Sequence, residues 1–158
     1  MNHAELQVIF TLRTQEVEHH KGQVSFPGGV VDASDKDIID TALRETKEEI
    51  GIHRSALQVL GVCDDFSTPS GFCITPVVAC LPSEPMFTVN PDEVSEVFEV
   101  PVAIFLDPSN ERTEQRIRDG REVTIYFYRY KNYEIWGATA AMLRSFLHAV
   151  VEQVEKPL

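Results

Sequence analysis

Three glutamates, Glu45, Glu48 and Glu49, fall at i, i+3 and i+4 in the segment ALRETKEEIG. In a helix that spacing sets all three carboxylates on one face, where like charges repel one another. A solvated acidic face is one account of them. Cation binding is the other. Hard divalent ions take carboxylate oxygens as ligands and keep further positions for water or phosphate oxygens. Gly28 and Gly29 lie upstream, where a chain free of side chains can pass close to such a helix and offer a backbone carbonyl. Arg44 stands one turn before Glu48 and is placed to pair with it.

The element that must carry these residues is legible in the apolar pattern. Ile38, Ala42, Thr46 and Ile50 recur at i+4, with Ile39 and Leu43 beside them, which predicts a helix from about Lys36 to Ile50. Ser34 or Asp35 is the expected N-cap and Gly51 the expected stop. Upstream, LQVIFTLR (6–13) reads as a strand, TQEVEHHKGQ as a polar loop and VSFPGG as a short strand ended by turn formers. Downstream, LQVLGVCDDF and FCITPVVACL read as strands joined by STPSG, and NPDEVSEVFEVPV as a turn leading into a strand. PVAIFL predicts a short helix before a loop at Pro108, and EVTIYFYRYKNYEIW a hairpin with Lys131 and Asn132 near its tip. Met142, Leu143, Phe146, Leu147, Val150 and Val154 predict a last helix from about Ala138 to Glu155. The expected fold class is α/β, a mixed β-sheet sandwiched between α-helices.

Composition narrows the function. The chain has 158 residues, without repeats or a Gly/Ser linker, which predicts one domain over 1–158. Its formal net charge is −11, which argues against nucleic acid or an anionic membrane as partner but admits an anionic small molecule if bound cations reverse the local sign. Cys63, Cys73 and Cys80 are odd in number and form no C-x-x-C pair, so free thiols in a reducing compartment are expected. No apolar run approaches the roughly 20 residues of a membrane span. The residues MNHAELQ lack a signal-peptide pattern. The expected location is the cytoplasm.

The stretch Gly29 to Ile52 resembles the Nudix box, G-x5-E-x7-R-E-U-x-E-E-x-G-U with U aliphatic. RETKEEIGI (44–52) matches its second half, with Thr46 at a position that is usually aliphatic. Asp35 stands for the first glutamate, and the segment from it to Arg44 is one residue longer than usual. The resemblance implies the Nudix fold and hydrolysis of a nucleoside diphosphate linked to another moiety. It implies Gly29, Glu45, Glu48 and Glu49 as ligands of Mg²⁺ or Mn²⁺, and Arg44 as the residue orienting the glutamates. It also implies Glu45, or a later glutamate such as Glu96, as general base.

The flanks resemble a subfamily. FTLRTQEVEHHKGQVSFPGG (10–29) is similar to the signature upstream of the box in coenzyme A pyrophosphatases, with Thr11, Arg13, His20, Gly22, Gln23, Val24 and residues 26–29 in register. Glu18 stands where that group commonly has arginine. DDFSTPSGFCITPVVACL, NPDEVSEVFEVPVAIFLDP and IWGATAAML extend the likeness. It implies a small-molecule nucleotide substrate, CoA or acyl-CoA, met by Arg13, Gln23 and Ser70, and it leaves a homodimer open. By residue type alone, Arg13 could equally end a strand against a surface carboxylate, Gln23 could face solvent and STPSG could be a plain connection. Another nucleoside diphosphate derivative, such as ADP-ribose or a dinucleotide, is the rival substrate. A non-catalytic nucleotide-binding module is the rival class.

Overall fold

The computed structural model describes residues 6–14, 22–82, 84–118 and 120–154. The expected polar loop falls largely outside them, and with it Glu18, His19, His20 and Lys21. The chain divides into two compact units, one of residues 10–98 and one of residues 1–9 with 99–158.

The first of these units is built on a helix wedged among short strands. Strand β1 (Gln7–Arg13) pairs antiparallel with β2 (Val24–Ser25), with Thr11 opposite Ser25 and Leu12 opposite Val24. The sheet order is β2-β1-β7, β7 being Val94–Pro101. Helix α1 (Ile38–Ile50) follows β2. Two antiparallel pairs follow: β3 (Gln58–Val62) with β6 (Val77–Cys80), and between them β4 (Phe66–Ser67) with β5 (Cys73–Ile74). Phe10, Val24, Leu43, Ile50, Ile52 and Val94 form the buried apolar set.

Helix α1 departs from its expectation at the start. Its N-cap is Asp37, whose carboxylate accepts the Asp40 N–H at 2.8 Å. Neither Ser34 nor Asp35 caps it, because Ser34 bonds Asp32 and Asp35 is engaged by Arg44 and Thr41. The inward side also differs. Ile38 is 40% exposed and the Thr46 hydroxyl donates to the Ala42 carbonyl, while Thr41, Leu43, Glu49 and Ile50 are buried. At the far end Gly51 stops the helix as expected, with φ 76° and its N–H on the Lys47 carbonyl. A side chain there would be strained by that φ and would meet Thr88 Cβ at 2.7 Å.

The second unit is a meander carrying a helix. The short helix α2 (Val102–Leu106) starts where the Val102 N–H bonds the Leu6 carbonyl at 2.8 Å. Strand β8 (Glu111–Arg118) pairs with β9 (Arg121–Tyr130), which pairs with β10 (Tyr133–Trp136) through a turn at Lys131. Helix α3 (Gly137–Val154) packs on this sheet with Ala140, Leu143 and Leu147 buried. The aromatic run packs the sheet as its composition suggests. Tyr128 is buried, meets Phe105 edge-on at 5.3 Å and donates to Glu111 at 2.6 Å, and Phe127 stacks on Trp136 at 5.9 Å. Strand β8 replaces what reads in sequence as loop. Cys63, Cys73 and Cys80 are free, and among the described residues no helix is long and apolar enough to cross a membrane.

Candidate metal centre

The centre lies wholly within the unit of residues 10–98. Carboxylate oxygens of Glu45, Glu49 and Glu93 lie within 4.8 Å of one another. The first two come from α1, one turn apart. Glu93 comes from the turn that enters β7. That turn is built by Asn90, whose side chain accepts the Asp92 N–H at 3.2 Å and donates to Glu93 Oε1 at 3.3 Å. The Glu93 carbonyl in turn accepts the Thr14 N–H at 3.0 Å. Extended backbone ties the turn to the helix, since the Thr88 and Asn90 N–H groups donate to the carbonyls of Ile50 and Glu49, each at 2.9 Å.

Glu49 is the most constrained member, at 2% exposure. Its Oε2 accepts the Gly28 N–H at 3.2 Å and its Oε1 lies 3.9 Å from Arg13 Nη1. Burial pushes its carboxyl up to about 7; Glu93 and Glu45 add to that, against the Gly28 hydrogen bond and Arg13. The protein thus buries a carboxylate among two others with one loosely placed cation beside it. Such a group is costly to ionise unless something positive joins it.

Gly29 is shaped for the same place. A Cβ on it would sit 2.5 Å from each Glu45 carboxylate oxygen, so the backbone lies directly against that carboxylate and any side chain here would push Glu45 aside. A cradle of this kind, lined by hard oxygen donors at close spacing, suits a small divalent ion such as Mg²⁺ or Mn²⁺.

Arg44 organises the adjoining side. Its Nε and Nη2 grip both oxygens of Asp35 at 2.8 and 3.0 Å, Nη2 also donates to the Val30 carbonyl at 3.1 Å, and Nη1 donates to Glu45 at 2.7 Å and Glu48 at 2.9 Å. The Arg44 guanidinium, with the Asp32 N–H and the Thr41 hydroxyl, holds the Asp35 carboxyl well below the usual carboxylate range. Asp35 therefore locks the arginine that orients Glu45.

Of the residues that the sequence suggests for the site, Glu45, Glu49 and Gly29 come together, with Arg44 beside them. Arg13 and Gln23 are neighbours across the β1–β2 pair, the Arg13 N–H bonding the Gln23 carbonyl at 3.0 Å, and Arg13 reaches the edge of the trio. Its Nε is buried without a hydrogen-bond partner among the described residues. Glu48 is 52% exposed, paired with Arg44 and outside the trio. Glu96 is exposed on β7 and also outside it. Ser70 bonds Thr68 at 3.0 Å in the β4–β5 turn. Glu93 is the residue that sequence reasoning passed over. Its signal was the Asn90-Pro91 turn start, which marks a residue held by a turn.

The family model described as NUDIX domain matches residues 3–121. The uncharacterized Nudix hydrolase NudL of Photorhabdus laumondii subsp. laumondii is 39% identical over 148 residues, covering 94% of this chain and 77% of its own. NudL of Escherichia coli O7:K1 is 37% identical over 137 residues, covering 87% and 71%. Among solved structures, the Nudix hydrolase RenU of M. smegmatis superposes with a TM-score of 0.60 at 16% identity, covering 96% of this chain and 79% of RenU. A C. elegans Ap4A hydrolase superposes with a TM-score of 0.54 at 17% identity, covering 63% and 72%. At those identities the structures speak for the fold alone.

Proposed function

The chain belongs to the Nudix family and has its mixed α/β fold, and on this premise we propose that it hydrolyses the diphosphate of CoA or an acyl-CoA to 3′,5′-ADP and a 4′-phosphopantetheine. The class is Nudix pyrophosphohydrolase, with the domain taken as residues 1–158. The observation that carries the reading is the Glu45–Glu49–Glu93 cluster closed over the Gly29 backbone. The CoA assignment rests on the likeness of residues 10–29 to the coenzyme A pyrophosphatase signature, whose Arg13 reaches the edge of that cluster.

Glu45, Glu49 and Glu93 would hold a divalent ion, Mg²⁺ or Mn²⁺, with the Gly29 carbonyl beside them and Glu48 as an outer carboxylate. When bound, the ion supplies positive charge for the diphosphate and acidifies water. The remaining work belongs to the chain. Arg44, fixed by Asp35, keeps the Glu45 carboxylate turned toward the cluster. The Gly28 N–H holds Glu49 from the other side. The Arg13 guanidinium, partly exposed at the edge of the cluster, is suited to a diphosphate oxygen. Proton removal from the attacking water falls to Glu45 or, from the exposed side of β7, to Glu96. Phosphoryl chemistry needs positioning and charge more than covalent help, which is what these groups provide. Free thiols at Cys63, Cys73 and Cys80 fit a reducing, cytoplasmic setting for this activity.

The test is product identification by mass spectrometry after incubation with CoA, ADP-ribose and diadenosine polyphosphates, each with Mg²⁺ and then Mn²⁺. Faster release of 3′,5′-ADP and 4′-phosphopantetheine from CoA than of products from the others is expected. Preferential cleavage of ADP-ribose or a dinucleotide would keep the metal chemistry and remove the CoA assignment. No cleavage of any would favour a nucleotide-binding module.

A further inference from the structure

On the side of α1 that carries Asp40, Leu43, Arg44 and Lys47, the chain returns through His53 and Arg54 and leaves a half-open hollow of about 200 Å³. The space is several times the roughly 30 Å³ share of one water in the liquid. These six residues line it. Three of them, Arg44, Lys47 and Arg54, are fixed cations, against a single carboxylate, in a chain whose overall balance is −11. The cations are not equally committed. Arg54 Nη1 pairs with Asp40 at 2.7 Å, and Arg44 is spread over Asp35, Glu45 and Glu48. Lys47 has no carboxylate partner among the described residues. Ser55 engages Nδ1 of His53, with its Oγ at 2.9 Å, which leaves Nε2 as the second ring nitrogen. Asp40 is itself occupied, by Arg54 and by the Lys36 N–H at 3.2 Å.

We propose that this hollow binds a phosphate-type oxyanion, held by Lys47 and Arg54 with His53 as a further donor and Arg44 at its inner wall. A hollow lined by guanidinium and ammonium side chains suits a tetrahedral oxyanion, and Lys47 is the cation with no carboxylate partner among the described residues. The site is distinct from the carboxylate cluster. The two share Arg44, so an anion here competes for the guanidinium that orients Glu45 and Glu48. By linkage, phosphate weakens cation binding and the cation weakens phosphate binding by the same factor.

Titration calorimetry with inorganic phosphate, run in EDTA, tests the assignment, because without a divalent ion the carboxylate cluster repels phosphate. Saturable one-to-one binding is expected, weakened about tenfold by Lys47→Ala, the loss of one charge-assisted contact. Arg54→Gln should weaken it further, since it also leaves Asp40 unpaired at the rim. Both residues project from the surface, and circular dichroism confirms that the variants remain folded. Titration with AMP separates the sources: binding of phosphate alone marks the free ion, and binding of both marks a phosphate monoester. Absence of phosphate binding in EDTA overturns the proposal. So does an affinity that neither substitution changes.

Discussion

Glu48 and Glu49 are consecutive residues of one helix, and they live in opposite electrostatic worlds. Glu48 is half-exposed and answered by Arg44 at 2.9 Å, in a network where Asp35 and Glu45 share the same guanidinium. Glu49 is buried, with two other carboxylates within 4.8 Å and Arg13 no nearer than 3.9 Å. In the first neighbourhood every carboxylate is in direct contact with a guanidinium. In the second, Glu49 has no cation within hydrogen-bonding distance among the described residues. Where a protein buries negative charge, satisfies its geometry with a backbone N–H and still leaves the charge unbalanced, the balance is to come from a ligand.

Neutralising each glutamate in turn breaks this comparison most directly. Glu49→Gln should lower kcat by about three orders of magnitude, the effect of losing several kcal/mol of cation-mediated stabilisation. Above about pH 7 the same substitution should raise the melting temperature of the cation-free protein, since it deletes a buried charge. Glu48→Gln should cost less than about tenfold in kcat, as expected for an exposed, already neutralised group. Equal losses from the two substitutions would overturn the distinction. Gly29→Ala attacks the cradle itself. Its methyl must push Glu45 aside, and Mn²⁺ affinity read by electron paramagnetic resonance should fall about 10–100-fold. Unchanged affinity would mean that Glu45 is not a ligand.

Acidity sharpens the comparison more gently. Between the ordinary carboxylate range and about pH 7, Glu49 is protonated in the folded chain and ionised in the unfolded one. The folded state then binds more protons, so cation-free stability should fall as pH rises through that window. Asp35 acts in the other sense. Its depressed carboxyl contributes stability above its ordinary value that is lost as pH falls. Thermal melts of the apo protein should therefore peak at mildly acidic pH. Mn²⁺ should flatten the decline on the alkaline side, where ionised Glu49 gains its partner. A decline identical with and without Mn²⁺ would assign it to other groups.

The helix and its Gly51 stop were readable because both depend on local periodicity and one backbone conformation. Its N-cap was not. Ser34, Asp35 and Asp37 are all capping types, and the outcome is decided by Asp32, which takes Ser34, and by Arg44, which takes Asp35 from nine residues away. Strand β8 was missed because ERTEQRIR shows no apolar face. It is held by its eight-residue register with β9 and by charged cross-strand contacts such as Arg112 over the Phe127 ring. The site was legible in proportion to how local it is. Glu45, Glu48, Glu49 and Arg44 share one helix, so spacing and the Nudix likeness found them together. That likeness suggested Glu96 as a base from outside the helix. It did not point to Glu93, three residues earlier, which joins the trio because the Asn90 turn aims that carboxylate toward α1, and spacing alone does not reveal how a turn is aimed.

The two hydrogen bonds from Thr88 and Asn90 to the last carbonyls of α1 carry a consequence for how such a chain can change over time. They fasten the Glu93 turn to the helix across the whole excursion from residue 52 to residue 87. That excursion holds the β3–β6 and β4–β5 pairs and the Ser70 turn. The reach from α1 to the Glu93 turn is therefore set by two short backbone hydrogen bonds and not by the length of chain between them. The outer turns of the excursion can change length while the same three glutamates remain in place.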